Sequence, residues 1–223
     1  MHTTYFQDYP VRLFKEHTRE VFSLSWNLVQ KNTFLSASWD GLVKLWDPNT
    51  LNSLVTYKEH AQCIYQAVWS PASATSFASA SGDQHVKLWD ARHPNASLSF
   101  HAHPAEVLCL DWSKYDSNTL VTGSVDKSIR VWDLRFPKQH RAQLLGHEFA
   151  VRNLKCSPHS GNIVGSTSYD TTARFWDLNT LSAFYIHQGH SEFVFGLDFS
   201  LFHPGRVATT GWDETVQIFD LAL

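Results

Sequence analysis

The sequence predicts an all-β protein assembled from five copies of one four-stranded unit, and three registers of residues predict it. The first is a Trp-Asp pair at Trp46-Asp47, Trp89-Asp90, Trp132-Asp133 and Trp176-Asp177, with Phe219-Asp220 in the fifth place. The second is a leading histidine: His17, His60, His103, His147 and His190. The third is an aspartate six residues before the Trp position: Asp40, Asp83, Asp126, Asp170 and Asp213. All three recur every 43 or 44 residues, within the roughly 40–45 expected of one four-stranded propeller blade.

The second unit shows how each copy reads. Ile64–Trp69 alternates as a first strand, Ser70-Pro71 opens a loop, and Phe77–Ser81 is a second strand. Gly82-Asp83-Gln84 makes a turn, Val86–Trp89 a third strand, and Ser97–Phe100 a fourth, outer one. β-Branched and aromatic residues alternate with polar ones throughout, and no stretch of ten or more residues carries helical periodicity. The expected fold is a WD-repeat β-propeller domain over residues 11–223 behind a tail at 1–10. Its repeats run at about 17–59, 60–102, 103–146, 147–189 and 190–223.

A buried His, Ser, Asp and Trp in each unit predict a hydrogen-bonded chain. The sets are His17, Ser38, Asp40, Trp46; His60, Ser81, Asp83, Trp89; His103, Ser124, Asp126, Trp132; and His147, Ser168, Asp170, Trp176. The indole donates to the hydroxyl, the hydroxyl to one imidazole nitrogen, and the other imidazole nitrogen to the carboxylate. His, Ser and Asp also make up a catalytic triad. A nucleophile is needed once, however, and four copies at one spacing are the mark of structure. The fifth unit has Gly211 in the Ser place and Phe219 in the Trp place, which predicts an incomplete network and the loosest blade.

Composition narrows the function classes. Hydrophobic residues are 43% and charged residues 17%, the balance of a folded chain. The net charge of -3, with no run of Lys and Arg, offers no field for nucleic acid. Cys63, Cys109 and Cys156 are odd in number and widely spaced, which argues against a disulfide framework or zinc site and suits a reducing compartment. Met1–Tyr5 lacks a basic stretch leading into an apolar run, so no secretory signal is expected; no window is apolar enough for membrane insertion. His101-Ala102-His103 is a weak metal pair, because His103 already belongs to the repeat. No catalytic group stands outside the repeated set, and nothing requires a cofactor.

The ends bear on ring closure. Val11–His17 aligns with Leu54–His60, so the chain is expected to open on an outer strand belonging to a preceding blade; the fifth unit stops at its third strand. Either that first strand completes the last blade and closes a five-blade ring, or the blades form an open arc of a seven-bladed propeller. The turn between blades is about 72° in a five-fold ring and about 51° in a seven-fold one. The ordinary inner-strand residues favour the arc, whose ends would expose strand edges and apolar faces.

The residues between the repeat markers are more specific. Ser38-Trp39-Asp40-Gly41, Ile64–Pro71, Phe77–Gln84, Leu110–Tyr115, Ser168-Tyr169-Asp170, Gly196–Ser200 and Trp212–Val216 resemble the peroxin seven family of WD-repeat proteins, and the resemblance runs from about Val11 to the C-terminus. It implies a cytosolic receptor that cycles to the peroxisome. Such a receptor binds an N-terminal amphipathic signal of the form R-L-x5-[HQ]-L, the type-2 targeting signal, and carries enzymes such as thiolase with a peroxin co-receptor. Members have seven blades, so the resemblance also implies that two are lacking here. A scaffold subunit of another complex and a non-functional truncated receptor stay open beside it.

The repeat predicts which side chains face a partner: those three and five residues after the His, and one before the Asp. These are Glu20, Phe22, Trp39; Cys63, Tyr65, Gly82; Glu106, Leu108, Val125; Ala150, Arg152, Tyr169; and Phe193, Phe195, Trp212. The aromatics suit the apolar stripe of a helix, and Glu20 and Glu106 suit its arginine.

Overall fold

The computed structural model describes residues 12–222. Among these there is no helix, and nineteen strands form five antiparallel sheets. The first blade comprises β1 (Val21–Trp26), β2 (Phe34–Ser38), β3 (Val43–Trp46) and β4 (Val55–Tyr57). The second comprises β5 (Ile64–Trp69), β6 (Ser76–Ser81), β7 (His85–Asp90) and β8 (Ala96–His101). The third holds β9 (Val107–Trp112), β10 (Thr119–Ser124), β11 (Ile129–Asp133) and β12 (Ala142–Leu144). The fourth holds β13 (Val151–Cys156), β14 (Ile163–Ser168), β15 (Ala173–Asp177) and β16 (Ser182–His187). The fifth has three strands among the described residues: β17 (Val194–Phe199), β18 (Arg206–Gly211) and β19 (Val216–Asp220).

The blades pack face to face through four apolar clusters, one per junction. The first joins Leu35, Val43 and Tyr57 to Ile64, Trp69 and Phe77; the next two join Ala80 and Phe100 to Leu110 and Trp132, and Val121 and Leu144 to Leu154 and Trp176. The last joins Ala173 and Phe175 to Leu197 and Val207. A closed ring of five blades needs a fifth junction, and none exists among the described residues. In β1, Val21, Leu24 and Trp26 are 48–60% exposed, whereas their counterparts Ile64, Ala67 and Trp69 are at most 5% exposed. Val216 and Ile218 of β19 are 68% and 67% exposed, while Ala173 and Phe175 in the same places of the fourth blade are fully buried. The molecule is an open propeller arc with two uncovered apolar flanks.

Each outer strand secures the next blade. Tyr57 of β4 meets Phe77 and Trp89 of the second blade edge-on, at 4.9 and 5.4 Å between ring centroids, and its hydroxyl donates to the Ala91 carbonyl. Phe100 of β8 meets Trp132 of the third blade at 4.8 Å. Phe14 takes the same place before the first blade, 4.8 Å from Trp46. The expected strand is not formed among the described residues: Arg12–His17 has no strand pairing, and no third strand lies beside it. Its side chains hold it instead, with Glu16 accepting bonds from Lys44 and from the Ser53 hydroxyl. The Ser53 hydroxyl and Lys44 together bring the Glu16 pKa down to about 2. The expected tail and Val11 lie outside the described residues.

The inner strands are stapled by side chains of one blade bonding main chain of the next. Ala67 N–H donates to Ser23 Oγ (3.0 Å), Leu110 N–H to Gln66 Oε1 (2.8 Å) and Cys156 N–H to Asp111 Oδ2 (2.8 Å).

Tyr57→Ala should lower unfolding stability by about 3–5 kcal/mol, the cost of emptying a packed aromatic site. Phe136→Ser, at a side chain 72% exposed, should change it by less than about 0.5 kcal/mol. Urea unfolding followed by fluorescence reads both.

Candidate functional site: the top-face bowl

The top face is built on five buried hydrogen-bond chains. In the first blade His17 Nδ1 donates to Asp40 Oδ2 (2.8 Å), His17 Nε2 accepts from Ser36 Oγ (2.7 Å), and Trp46 Nε1 donates to the same oxygen (2.8 Å). The second, third and fourth blades repeat this. His60 lies between Asp83 and Ser79, His103 between Asp126 and Thr122, and His147 between Asp170 and Ser166. Trp89, Trp132 and Trp176 donate to those hydroxyls. The hydroxyl is therefore not Ser38, Ser81, Ser124 or Ser168, as the sequence suggested, but the residue two positions earlier. Register decides the matter. Trp46 pairs with Phe34 across the ladder, so the oxygen in reach is two residues along the strand, on Ser36, and not four along.

The four expected serines have a second task. Ser38 Oγ donates to the Arg19 carbonyl and accepts the Asp40 N–H; Ser81, Ser124 and Ser168 likewise donate to the carbonyls of Cys63, Glu106 and Phe149. The fifth blade is also more complete than expected. Thr209 supplies the hydroxyl to His190, which bonds Asp213. Only the indole donor is missing, and Phe219 stacks instead on His187 at 4.0 Å.

The aspartates fix the turns that carry the site. Asp40 accepts the N–H of Thr18 and of Leu42, tying the loop before the inner strand to the β2–β3 turn. The residue after each aspartate, Gly41, Gln84, Lys127, Thr171 or Glu214, is left-handed, with φ between +63° and +79°. That conformation disfavours Thr171 in particular, and the capped turn holds it there. The residue before each aspartate bonds the loop directly: Trp39 N–H donates to Glu20 O, Gly82 to Cys63, Val125 to Glu106, Tyr169 to Ala150, and Trp212 to Phe193.

The remaining position arises from a β-bulge. In every inner strand the register slips by one residue, and the extra residues are Phe22, Tyr65, Leu108, Arg152 and Phe195. A bulge re-aims the side chain that has no partner on the facing strand. These five converge with Trp39, Glu106, Val125, Tyr169 and Trp212 around one cavity of about 340 Å³. Ten of the fifteen predicted top-face positions line it; Glu20, Cys63, Gly82, Ala150 and Phe193 do not. Glu20 sits on the exposed rim, 3.8 Å from Arg19, and Phe193 packs behind Tyr169 and Trp212.

Aromatic stacking shapes the bowl. Phe22 stacks on Trp39 at 4.8 Å, Phe195 on Trp212 at 4.9 Å, and Tyr65 meets Phe22 edge-on. Glu106 accepts a short bond, 2.6 Å, from the Tyr65 hydroxyl. Burial and that carboxylate push the Tyr65 phenol well above its ordinary range. Cys63, Cys109 and Cys156 are all unpaired, and burial pushes the Cys109 thiol up to about 12. His101 faces Gln84 and His85, and no trio of His, Cys, Asp and Glu able to hold a metal occurs among the described residues.

Five repeated units and a top-face bowl define a WD-repeat propeller protein. The WD domain, G-beta repeat family matches residues 8–47, 51–90, 94–133, 138–177 and 181–220; from the second onward these frames take in an outer strand of the preceding blade and so span two blades each. Among curated proteins the chain is 52% identical over 213 residues to the Peroxisomal targeting signal 2 receptor of Mus musculus, covering 95% of this chain and 67% of the relative. It is 63% identical over 201 residues to the receptor of the same name from Dictyostelium discoideum, covering 88% and 63%. To Peroxisome biogenesis protein 7 of Arabidopsis thaliana it is 61% identical over 213 residues, covering 94% and 67%. The chain belongs to the peroxisomal targeting signal 2 receptor family, a non-enzymatic group of WD-repeat proteins. It spans about two thirds of the length of these relatives.

Thr122→Val removes the oxygen shared by His103 and Trp132 and should cost about 1–3 kcal/mol, whereas Thr122→Ser should cost less than about 1 kcal/mol. An unchanged urea midpoint for Thr122→Val would contradict the hydroxyl assignment.

The same chains set a pH dependence. Burial holds the imidazoles of His60 and His103 below the ordinary range, against the opposing pull of Asp83 and Asp126. Folding favours their neutral form, so this stability is present above the unfolded value of about 6.5 and drains as pH falls below it. Burial alone would raise the Asp126 carboxyl, but bonds from His103 and Ser128 outweigh it and bring the pKa down to about 2. That contribution is present above the unfolded value of about 3.9 and is lost below it. The thermal midpoint should hold steady from about pH 8 to 7, fall below about 6.5, and fall again below about 4.

Proposed function

We propose that the chain is a peroxisomal protein import receptor whose bowl takes the N-terminal type-2 signal of matrix enzymes such as thiolase. It delivers that cargo with a peroxin co-receptor, working in the cytoplasm and cycling to the peroxisome. The observation that carries the reading is the bowl itself: eight apolar or aromatic side chains, with Leu108 and Val125 among them, around the single carboxylate of Glu106. An amphipathic helix with a basic end presents the matching surface, an apolar stripe flanked by a guanidinium. The relatives named Peroxisomal targeting signal 2 receptor support the same class of ligand. Glu20, on the rim, would act by attracting the basic end and not by direct burial.

The reading is checked by titrating a fluorescent R-L-x5-Q-L peptide into the purified chain and following anisotropy. Saturable binding is expected, absent for the Arg-to-Glu peptide. Glu106→Lys should weaken it roughly tenfold or more, and Glu20→Lys by about threefold, mainly in the association rate. A folded chain that binds neither peptide, alone or with the co-receptor added, contradicts the proposal.

A further inference from the structure

Arg152 is the one cation in the bowl's lining. It projects from the bulge of β13 and lies between rings of the two outermost blades. Its guanidinium carbon is 5.2 Å from the Phe22 ring centre in the first blade and 5.0 Å from that of Phe195 in the fifth. Rings from both ends of the arc therefore lie against the guanidinium. The guanidinium carries five N–H donors in a rigid fork, and among the described residues it makes no hydrogen bond and no ion pair. The nearest carboxylate in the lining, Glu106, is engaged by the Tyr65 hydroxyl and does not pair with it. Arg152 is only half-buried, but a docked segment that covers it without supplying acceptors leaves desolvated donors unpaired, which is costly. The group is flanked by two rings, charged and without a partner among the described residues, the arrangement that favours two parallel bonds to a planar acceptor.

We propose that Arg152 is a specificity-determining residue that receives a carboxylate or carboxamide side chain of the docked segment. This rests on the reading of the bowl as a peptide site and adds a second polar requirement to it. The apolar stripe fills the aromatic walls, a basic residue meets Glu106, and a planar acceptor elsewhere on the same segment meets Arg152. A segment with Leu or Lys at that point leaves the guanidinium buried and unpaired, or sets two cations together.

An unbiased display library of short helical peptides tests this, panned against the unmodified chain, Arg152→Met and Arg152→Lys. Arg152→Met keeps the contact with both rings, Arg152→Lys keeps the charge without the planar fork, and a thermal melt verifies that each is folded. For the unmodified chain, peptides with Glu, Gln, Asp or Asn at one fixed position should be enriched at least tenfold over Leu there. Arg152→Met should abolish that preference, and Arg152→Lys should retain it for Glu and Asp but lose it for Gln and Asn. Winning peptides without an acceptor preference, or a preference unchanged in Arg152→Met, overturn the assignment. Tighter, indiscriminate binding to Arg152→Met would also overturn it, making Arg152 a plug. The receptor reading stands or falls separately on whether the winners carry an Arg-Leu pair spaced as in the type-2 signal. Failure to enrich any peptide overturns both.

Discussion

An imidazole held between a carboxylate and a hydroxyl is the constraint from which each blade is organised. Its carboxylate end lies at the top and gathers the N–H groups of two separate loops, as Asp40 does for Thr18 and Leu42. Its hydroxyl end lies inside the sheet and takes up the indole N–H of the Trp on the third strand, as Ser36 does for Trp46. One side chain thus joins the core of the blade to the loops above it. Every link leaves a buried polar group unpaired if broken, so the chain behaves as a unit. The loops of the top face inherit that rigidity.

Rigid loops explain how a surface of bulky side chains keeps one shape. Two of the three top positions in each blade are joined by a main-chain bond, such as Trp39 N–H to Glu20 O, and the third is expelled by a bulge. Aromatic side chains have few torsions to lose, so once their main chain is fixed they form a preformed wall. The bowl therefore presents stacked rings with two polar points, Glu106 and Arg152, one engaged by Tyr65 and the other held between Phe22 and Phe195.

Much of this was legible in the sequence because the repeat measures itself. A residue type recurring at 43 or 44 positions needs no propensity argument, and Ile64–Trp69 coincides with β5 to the residue. The top-face positions followed by the same counting. The tetrad hydroxyl did not, because Ser36 and Ser38 lie on the same side of one strand and only cross-strand register separates them. A signal was nonetheless present: Ser36, Ser79, Thr122, Ser166 and Thr209 keep a hydroxyl in all five units, whereas the alternative place gives way to Gly211. The bulges leave no trace in alternation, since one extra residue per strand resembles an ordinary loop boundary. The contact of Arg152 with both Phe22 and Phe195 depends on how far apart the first and fifth blades sit, a property of the whole arc that no local pattern contains.

The aromatic hand-over between blades has a temporal side. Tyr57 ends the first unit's sheet yet completes the packing around Trp89 in the second, and Phe100 does the same for Trp132. Each blade leaves the ribosome after the strand that will close its core, never before it. Synthesis thus meets every new blade with its lid already laid down, and consolidation runs from the N-terminal end toward the C-terminal one, each step templated by its predecessor. A chain fed in the opposite direction, or permuted between Tyr57 and His60, would hold the same contacts at equilibrium and forfeit that sequential guidance.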